Sequence, residues 1–411
     1  MQPIWWTLLV TVLSGVTASA SETETKNTSP VEVRTGKTVT TGKLLARSKD
    51  RATLLDRAGR LHEIDLKAST FTPLNGSFQS LPTTELRNQL SREFGKDFEV
   101  GATRHYLVLA PRGKASSYAA VFEDQYATLQ RYFKTRSFSL ADPEFLLTAI
   151  IFPERQPFVD YVQADGAKTM AGMLGYYSPR TNRVALYESR EKSVALSAVD
   201  PASGVRQPPE VFDSTETCQF DSFHSRSSGA SRPPLAEWQP RPLFGSVQGD
   251  LKATMIHEAT HQIAYNIGLH SRLGETPRWV VEGMATVFEP EGVHDSSAGW
   301  SAKQRINRDR FISFQNFAKN RRAPKSLKSF IEGDSLYQSA VLDFYAQSWA
   351  LSFFLVETRP RNYSTYLKRI AARDPFADYP ANERLADFKE AFQVDVDWLD
   401  VQFLRYLDGL K

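Results

Sequence analysis

His257-Glu258-Ala259-Thr260-His261 is the only H-E-x-x-H in a chain of 411 residues that holds seven histidines. Histidines four apart project from one face of a helix, one turn from each other. Two imidazoles so placed can reach a single tetrahedral zinc. Glu258 lies about 100° around the helix from His257. From there its carboxylate can reach a water at the metal without being a ligand itself, which is where a general base must stand. Chance puts such a motif in a chain of this composition roughly 0.01 times, so the spacing is informative.

A catalytic zinc needs a third protein ligand and an open fourth position. The extended pattern H-E-x-x-H-x-x-G-x-x-H requires Gly at 264 and His at 267; the chain has Ala264 and Ile267, which excludes it. His270 lies past Gly268, at the helix end, and reads as a solvent-facing or capping histidine. Glu282 is an acid among apolar neighbours, in Trp279-Val280-Val281-Glu282-Gly283-Met284-Ala285. A buried carboxylate without a partner is costly, and a metal resolves that cost. Glu282 is therefore the expected third ligand.

Two helices must hold these groups. The first is expected over 250–267, with Asp250 as N-cap, Gly268 as C-cap, and Leu251, Met255, Ile256, Ala259, Ile263 and Ile267 for packing. The second starts at Pro277, a residue suited to a first helical turn. Further helices are expected over 302–320, 345–357, 363–372 and 387–407. Upstream, 105–110 and 146–152 read as strands, 115–133 as a helix, and 175–187 as a hairpin turning at 179–182. Residues 31–70 alternate in short segments punctuated by Gly36, Gly42, Asp50 and Gly59, the pattern of a small all-β unit. That unit resembles SH3-like small barrels and reads as a structural or docking module.

H-E-x-x-H followed about twenty residues later by W-x-x-E-G-x-A resembles the peptidase MA-like gluzincins. The chain from about 71 to 407 is also similar to an uncharacterised secreted bacterial family, of unknown function, common in planctomycetes. The softer points of likeness are Thr103 to Val108, Gly175-Tyr176-Tyr177 and Phe344 to Ala350. The resemblance implies an α+β zincin-like catalytic domain at 71–411: a mixed sheet with an edge strand, the H-E-x-x-H helix and a helical C-terminal part. It makes Val184 to Tyr187 the edge strand that pairs with extended substrate. It gives Tyr345 the role of oxyanion donor, with core packing as the even alternative. It also offers Glu289 as a partner for a histidine ligand, although a solvated glutamate at the helix end is the stronger reading. The G-x-M-E-N motif of aminopeptidases is absent, which argues against a dedicated aminopeptidase of that type.

Composition sets the remaining bounds. Hydrophobic residues make up 41% and charged residues 24%, with a net charge of +3, so there is no basic footprint for nucleic acid. Residues 1–20 carry an apolar run from Ile4 to Val16 followed by Ala18-Ser19-Ala20 and read as a signal peptide, with a linker at 21–30. The expected location is secreted or periplasmic, with no stable membrane insertion after cleavage. The lone Cys218 sits in a Pro- and Ser-rich stretch and is read as chemically bland. Residues 189–249, rich in Pro, Ser and Gly, read as a long loop or insertion. The resulting expectation is a zinc metallopeptidase with one Zn2+ per chain, held by His257, His261 and Glu282. Glu258 and Tyr345 are its catalytic residues, and a peptide or protein is its substrate. The alternative is an inactive zinc-binding or envelope protein-interaction module on the same fold.

Overall fold

The computed structural model describes residues 29–169, 173–188, 251–295 and 301–410. The expected signal peptide, Asp250, Cys218 and the 189–249 insertion lie outside them.

Five strands come first: β1 (Val31–Thr35), β2 (Thr38–Arg47), β3 (Arg51–Asp56), β4 (Leu61–Asp65) and β5 (Ser69–Pro73). They form an antiparallel sheet in the order β4-β3-β2-β1-β5 around Val33, Ala52, Leu54 and Ile64. The all-β unit is present, but its sheet is open: β4 and β5 are its two edges and do not pair with each other. The unit also reaches Pro73, slightly past the expected boundary.

The next elements are α1 (Thr83–Phe94), β6 (Phe98–Ala102), β7 (Tyr106–Pro111), α2 (Ala115–Lys134), β8 (Leu147–Phe152), α3 (Arg155–Ala164), β9 (Gly175–Ser178) and β10 (Arg183–Tyr187). Their sheet runs β6-β7-β8-β10-β9, with β7, β8 and β10 parallel and β6 and β9 antiparallel to their neighbours. β7 and β8 are buried on both faces, which explains why they read as continuous apolar runs. Leu107, Leu109 and Ile150 face α1 and α3; Tyr106, Val108, Ala149 and Ile151 face the large core with the remaining helices.

The position of β10 corrects one expectation. Val184 to Tyr187 is an interior strand between β8 and β9, and the edge on that side of the sheet is β9. A hairpin after a parallel crossover placed its second strand inside, and no periodicity in the sequence distinguishes the two.

The helical part comprises α4 (Leu251–Asn266), α5 (Arg278–Phe288), α6 (Glu291–His294), a 3-10 turn (Ala302–Arg305), α7 (Arg308–Asn320), α8 (Leu327–Glu332), α9 (Ser335–Ser339), α10 (Val341–Thr358), α11 (Pro360–Ala371), α12 (Ala381–Phe392) and α13 (Val396–Asp408). Two expected helices are split. Asn307 caps α7, its side chain accepting from the Arg310 N–H, so 302–320 is not continuous. Gln393 takes a left-handed φ of 51° and Asp395 caps α13, which divides 387–407. The molecule is therefore α+β: a small β unit, a mixed sheet and a helical C-terminal part. No helix among the described residues is long and apolar enough to cross a membrane.

Candidate metal centre

α4 is buried on every side from Thr254 to Tyr265, so its polar residues need partners inside the protein. Thr260 donates to the Ile256 carbonyl at 2.7 Å and accepts from Gln125 of α2 at 2.7 Å. Gln262 donates to the carbonyls of Thr148 in β8 and Asn182 before β10, at 3.0 and 2.8 Å. Those bonds fix the helix against the sheet, and Gly268 at φ 85° lets the chain leave the helix end.

α5 supplies Glu282. A Cβ on Gly283 would lie 2.2 Å from Ser352 Oγ and 2.4 Å from the Ser348 carbonyl, both in α10. The glycine after the glutamate thus allows α5 and α10 to cross at backbone contact, which sets Glu282 deep in the core.

His257 Nε2 and His261 Nε2 lie 3.0 Å apart, and Glu282 Oε2 is 3.5 Å from the first and 3.8 Å from the second. All three residues are buried, and together they form a group able to hold a metal ion. Donors at about 2.0–2.1 Å around a tetrahedral ion sit ~3.3 Å from one another, and the three spacings bracket that edge. The charges also fit. Burial disfavours a charged His257, but its bonds to Glu282 and Glu289 outweigh that and raise it to about 10. Carboxylates gathered here draw a positive charge inward, which a proton or a divalent cation supplies.

Glu289 is not the solvated helix-end residue that the sequence favoured. Its Oε1 is 2.9 Å from His257 Nδ1, on the ring side away from the Nε2 that faces His261 and Glu282. Its Oε2 accepts from Asn307 Nδ2 at 2.7 Å, with Arg310 Nε at 4.0 Å. Burial works against its charge, yet His257, Arg310 and Asn307 hold its carboxyl below the usual range. Such a carboxylate orients the imidazole and increases its basicity. Glu289→Ala should weaken divalent-metal affinity by roughly 10–100-fold, as read by competition with a chelator. An unchanged affinity would show that Glu289 does not support the ligand.

Glu258 stands beside these donors and outside the ligand group. Burial pushes its carboxyl up to about 7, and the charge of Glu282 adds to this; His257 and the Tyr177 backbone N–H pull the other way. The Tyr177 bond comes from edge strand β9, so α4 and the sheet edge meet at Glu258. Gly175, also in β9, shows how closely: a Cβ there would lie 2.7 Å from Glu258 Cγ and 2.8 Å from Thr254 Cγ2. Gly175 and Tyr177 belong to the hairpin read from the sequence, but their approach to Glu258 is not legible there, since backbone contacts leave no residue signature.

Tyr345 is fully buried in α10, with the Arg310 guanidinium 5.2 Å from its ring centre. Through Arg310 it neighbours Glu289, the partner of His257. His270 is buried rather than solvent-facing. Its Nδ1 donates to the Leu269 carbonyl at 3.0 Å, and burial lowers its pKa to about 4. It is not part of the ligand group.

Residues 251–377 match the family model DUF1570, a protein of unknown function. The matched stretch begins at the first residue of α4 and runs past α11, so it contains His257, Glu258, His261, Glu282, Glu289 and Tyr345. The mixed sheet and the small β unit fall outside it. A search of curated proteins gives no match.

Proposed function

We propose that the chain is a zinc metallopeptidase of gluzincin type. The observation that carries this reading is the buried His257, His261 and Glu282 triad with a separate carboxylate, Glu258, next to it. Two imidazole nitrogens and one carboxylate oxygen are a donor set typical of catalytic zinc. An ion held there would serve as a Lewis acid for the scissile carbonyl and the attacking water. Glu258 takes the proton from the water and delivers it to the departing amine. The Tyr177 N–H holds the Glu258 carboxylate in place for that transfer. Tyr345 is the proposed donor to the oxyanion, and β9, rather than β10, is the strand edge offered to an extended peptide.

Metal analysis of the purified protein, followed by digestion of a peptide library with and without chelator, tests the reading. One zinc per chain and chelator-sensitive cleavage are expected. A fully metallated protein that cuts no peptide would overturn it.

Gly175 provides a narrower test. Gly175→Ala places a methyl group against Glu258 and Thr254, within the separation at which real atoms must move. Displacement of a catalytic group by about 1 Å can cost 10²-fold. The variant should keep its zinc and lose roughly that much kcat/KM. Wild-type kinetics in Gly175→Ala would mean that β9 does not define the position of Glu258.

A further inference from the structure

The β9–β10 turn is held from two sides. On one side stands α4. Asn182, at a left-handed φ of 59°, exchanges amide hydrogen bonds with Asn266 at 2.9 and 2.7 Å, and Tyr177 Oη donates to Asn182 Oδ1 at 3.1 Å. Gln262 adds its bond to the Asn182 carbonyl.

On the other side stands the N-terminal sheet. Leu61 of β4 donates its backbone N–H to the Arg180 carbonyl at 2.8 Å. Arg272, six residues beyond α4, joins three pieces of chain. Its Nε donates to the Pro179 carbonyl at 2.8 Å, and its Nη2 to the Gly59 carbonyl at 2.7 Å and the Arg180 carbonyl at 3.5 Å. Gly59 occupies the β3–β4 turn at φ 84°, where a Cβ would lie 3.1 Å from the Phe145 ring. Phe145 shares a small core with Leu55 and Leu61 of the sheet, and Leu273 beside Arg272 packs against it. Glu93 of α1 ties the same region together, accepting from Arg183 of β10 at 2.6 and 2.8 Å and from Arg60 of the β3–β4 turn at 3.2 Å.

We propose that the N-terminal sheet is an internal brace for the β9–β10 hairpin, with Arg272 as the positioning residue that transmits its hold to the site. The inference deepens the peptidase reading and rests on it for its functional meaning. The physical reason is the small tolerance at β9. Gly175 meets Glu258 with no room for a Cβ, and Tyr177 must keep its N–H on the same carboxylate. A four-residue edge strand has only one strand neighbour to fix it, so its register over Glu258 depends on what grips the adjoining turn. Arg272 suits this because a planar guanidinium can bond several carbonyls at once, which a lysine ammonium cannot do in the same geometry.

The test compares full-length wild type, Arg272→Ala, Arg272→Lys and Gly59→Ala by hydrogen exchange, zinc content and peptide turnover. Loss of bonds from a charged donor implies roughly 10- to 100-fold faster exchange in residues 175–187 of Arg272→Ala. β7 and β8 should keep their protection, and zinc content should stay at the wild-type value. Arg272→Lys should recover part of the lost protection, and Gly59→Ala, acting from the opposite side of the contact, should reproduce the local effect. Where the wild type cleaves peptide, kcat/KM should fall in step with the lost protection. Unchanged exchange at 175–187 in Arg272→Ala would overturn the brace, as would an equal rise across β7 and β8. Should Arg272→Ala not fold, Gly59→Ala decides by the same criterion. An inactive wild type with the selective exchange pattern intact would defeat the peptidase reading and leave the brace standing.

Discussion

Glu258→Gln should retain zinc and fold while losing peptide hydrolysis by about 10²–10⁴-fold or more, the usual worth of general acid–base catalysis. Gln is nearly isosteric with Glu, so the packing around this buried position is preserved. The amide oxygen can still accept from the Tyr177 N–H, so β9 keeps its contact with α4. The proposed metal donors His257, His261 and Glu282 are untouched. What the amide cannot do is accept the proton of the attacking water and pass it to the leaving amine. The measurement is turnover of a peptide found by library digestion, compared at equal zinc content. Equal rates for wild type and Glu258→Gln would remove Glu258 from the mechanism.

Glu282→Ala should abolish stoichiometric zinc, whereas His270→Ala should leave it intact. Glu282 Oε2 faces both histidine nitrogens, and its loss leaves a two-imidazole site with no protein replacement in the ligand group. His270 is engaged with the Leu269 carbonyl and stands outside that group. Metal analysis gives a direct reading, and thermal melting gives a second. Zinc at 100 times its Kd stabilises a folded protein by about 2.7 kcal/mol, a rise in melting temperature that Glu282→Ala should not show. Zinc retained by Glu282→Ala and lost by His270→Ala would reverse the assignment of the third ligand.

The local sequence determined the parts of the site that depend on helical spacing. His257 and His261 share a face because they are four apart, and Glu258 is offset because it is adjacent; no tertiary information is needed for either statement. Glu282 was legible because an acid inside Trp279 to Ala285 needs a buried partner. The apolar runs of β7 and β8 were readable as strands, their cover on both faces coming only from the fold, and Gly59, Asn182 and Gly268 marked turns that the backbone indeed makes with positive φ. Helix breaks were less visible: the capping side chains of Asn307 and Asp395 compete with helix continuation by local hydrogen bonds, and amphipathic spacing does not register them.

Tertiary structure alone decided the rest, because the relevant contacts join residues far apart in sequence or involve no side chain. Glu289 became the partner of His257 only once α5 lay against α4, 32 positions apart in the chain. The order of β10 and β9 followed from which strand pairs in parallel with β8, a choice that alternation cannot encode. Gly283 draws its meaning from Ser348 and Ser352, and Gly175 from Glu258; in each case the sequence shows a missing side chain and only the fold shows what fills its space. The grip of Arg272 on Gly59, Pro179 and Arg180 is likewise invisible in the chain, since all its acceptors are backbone carbonyls, which every residue carries alike.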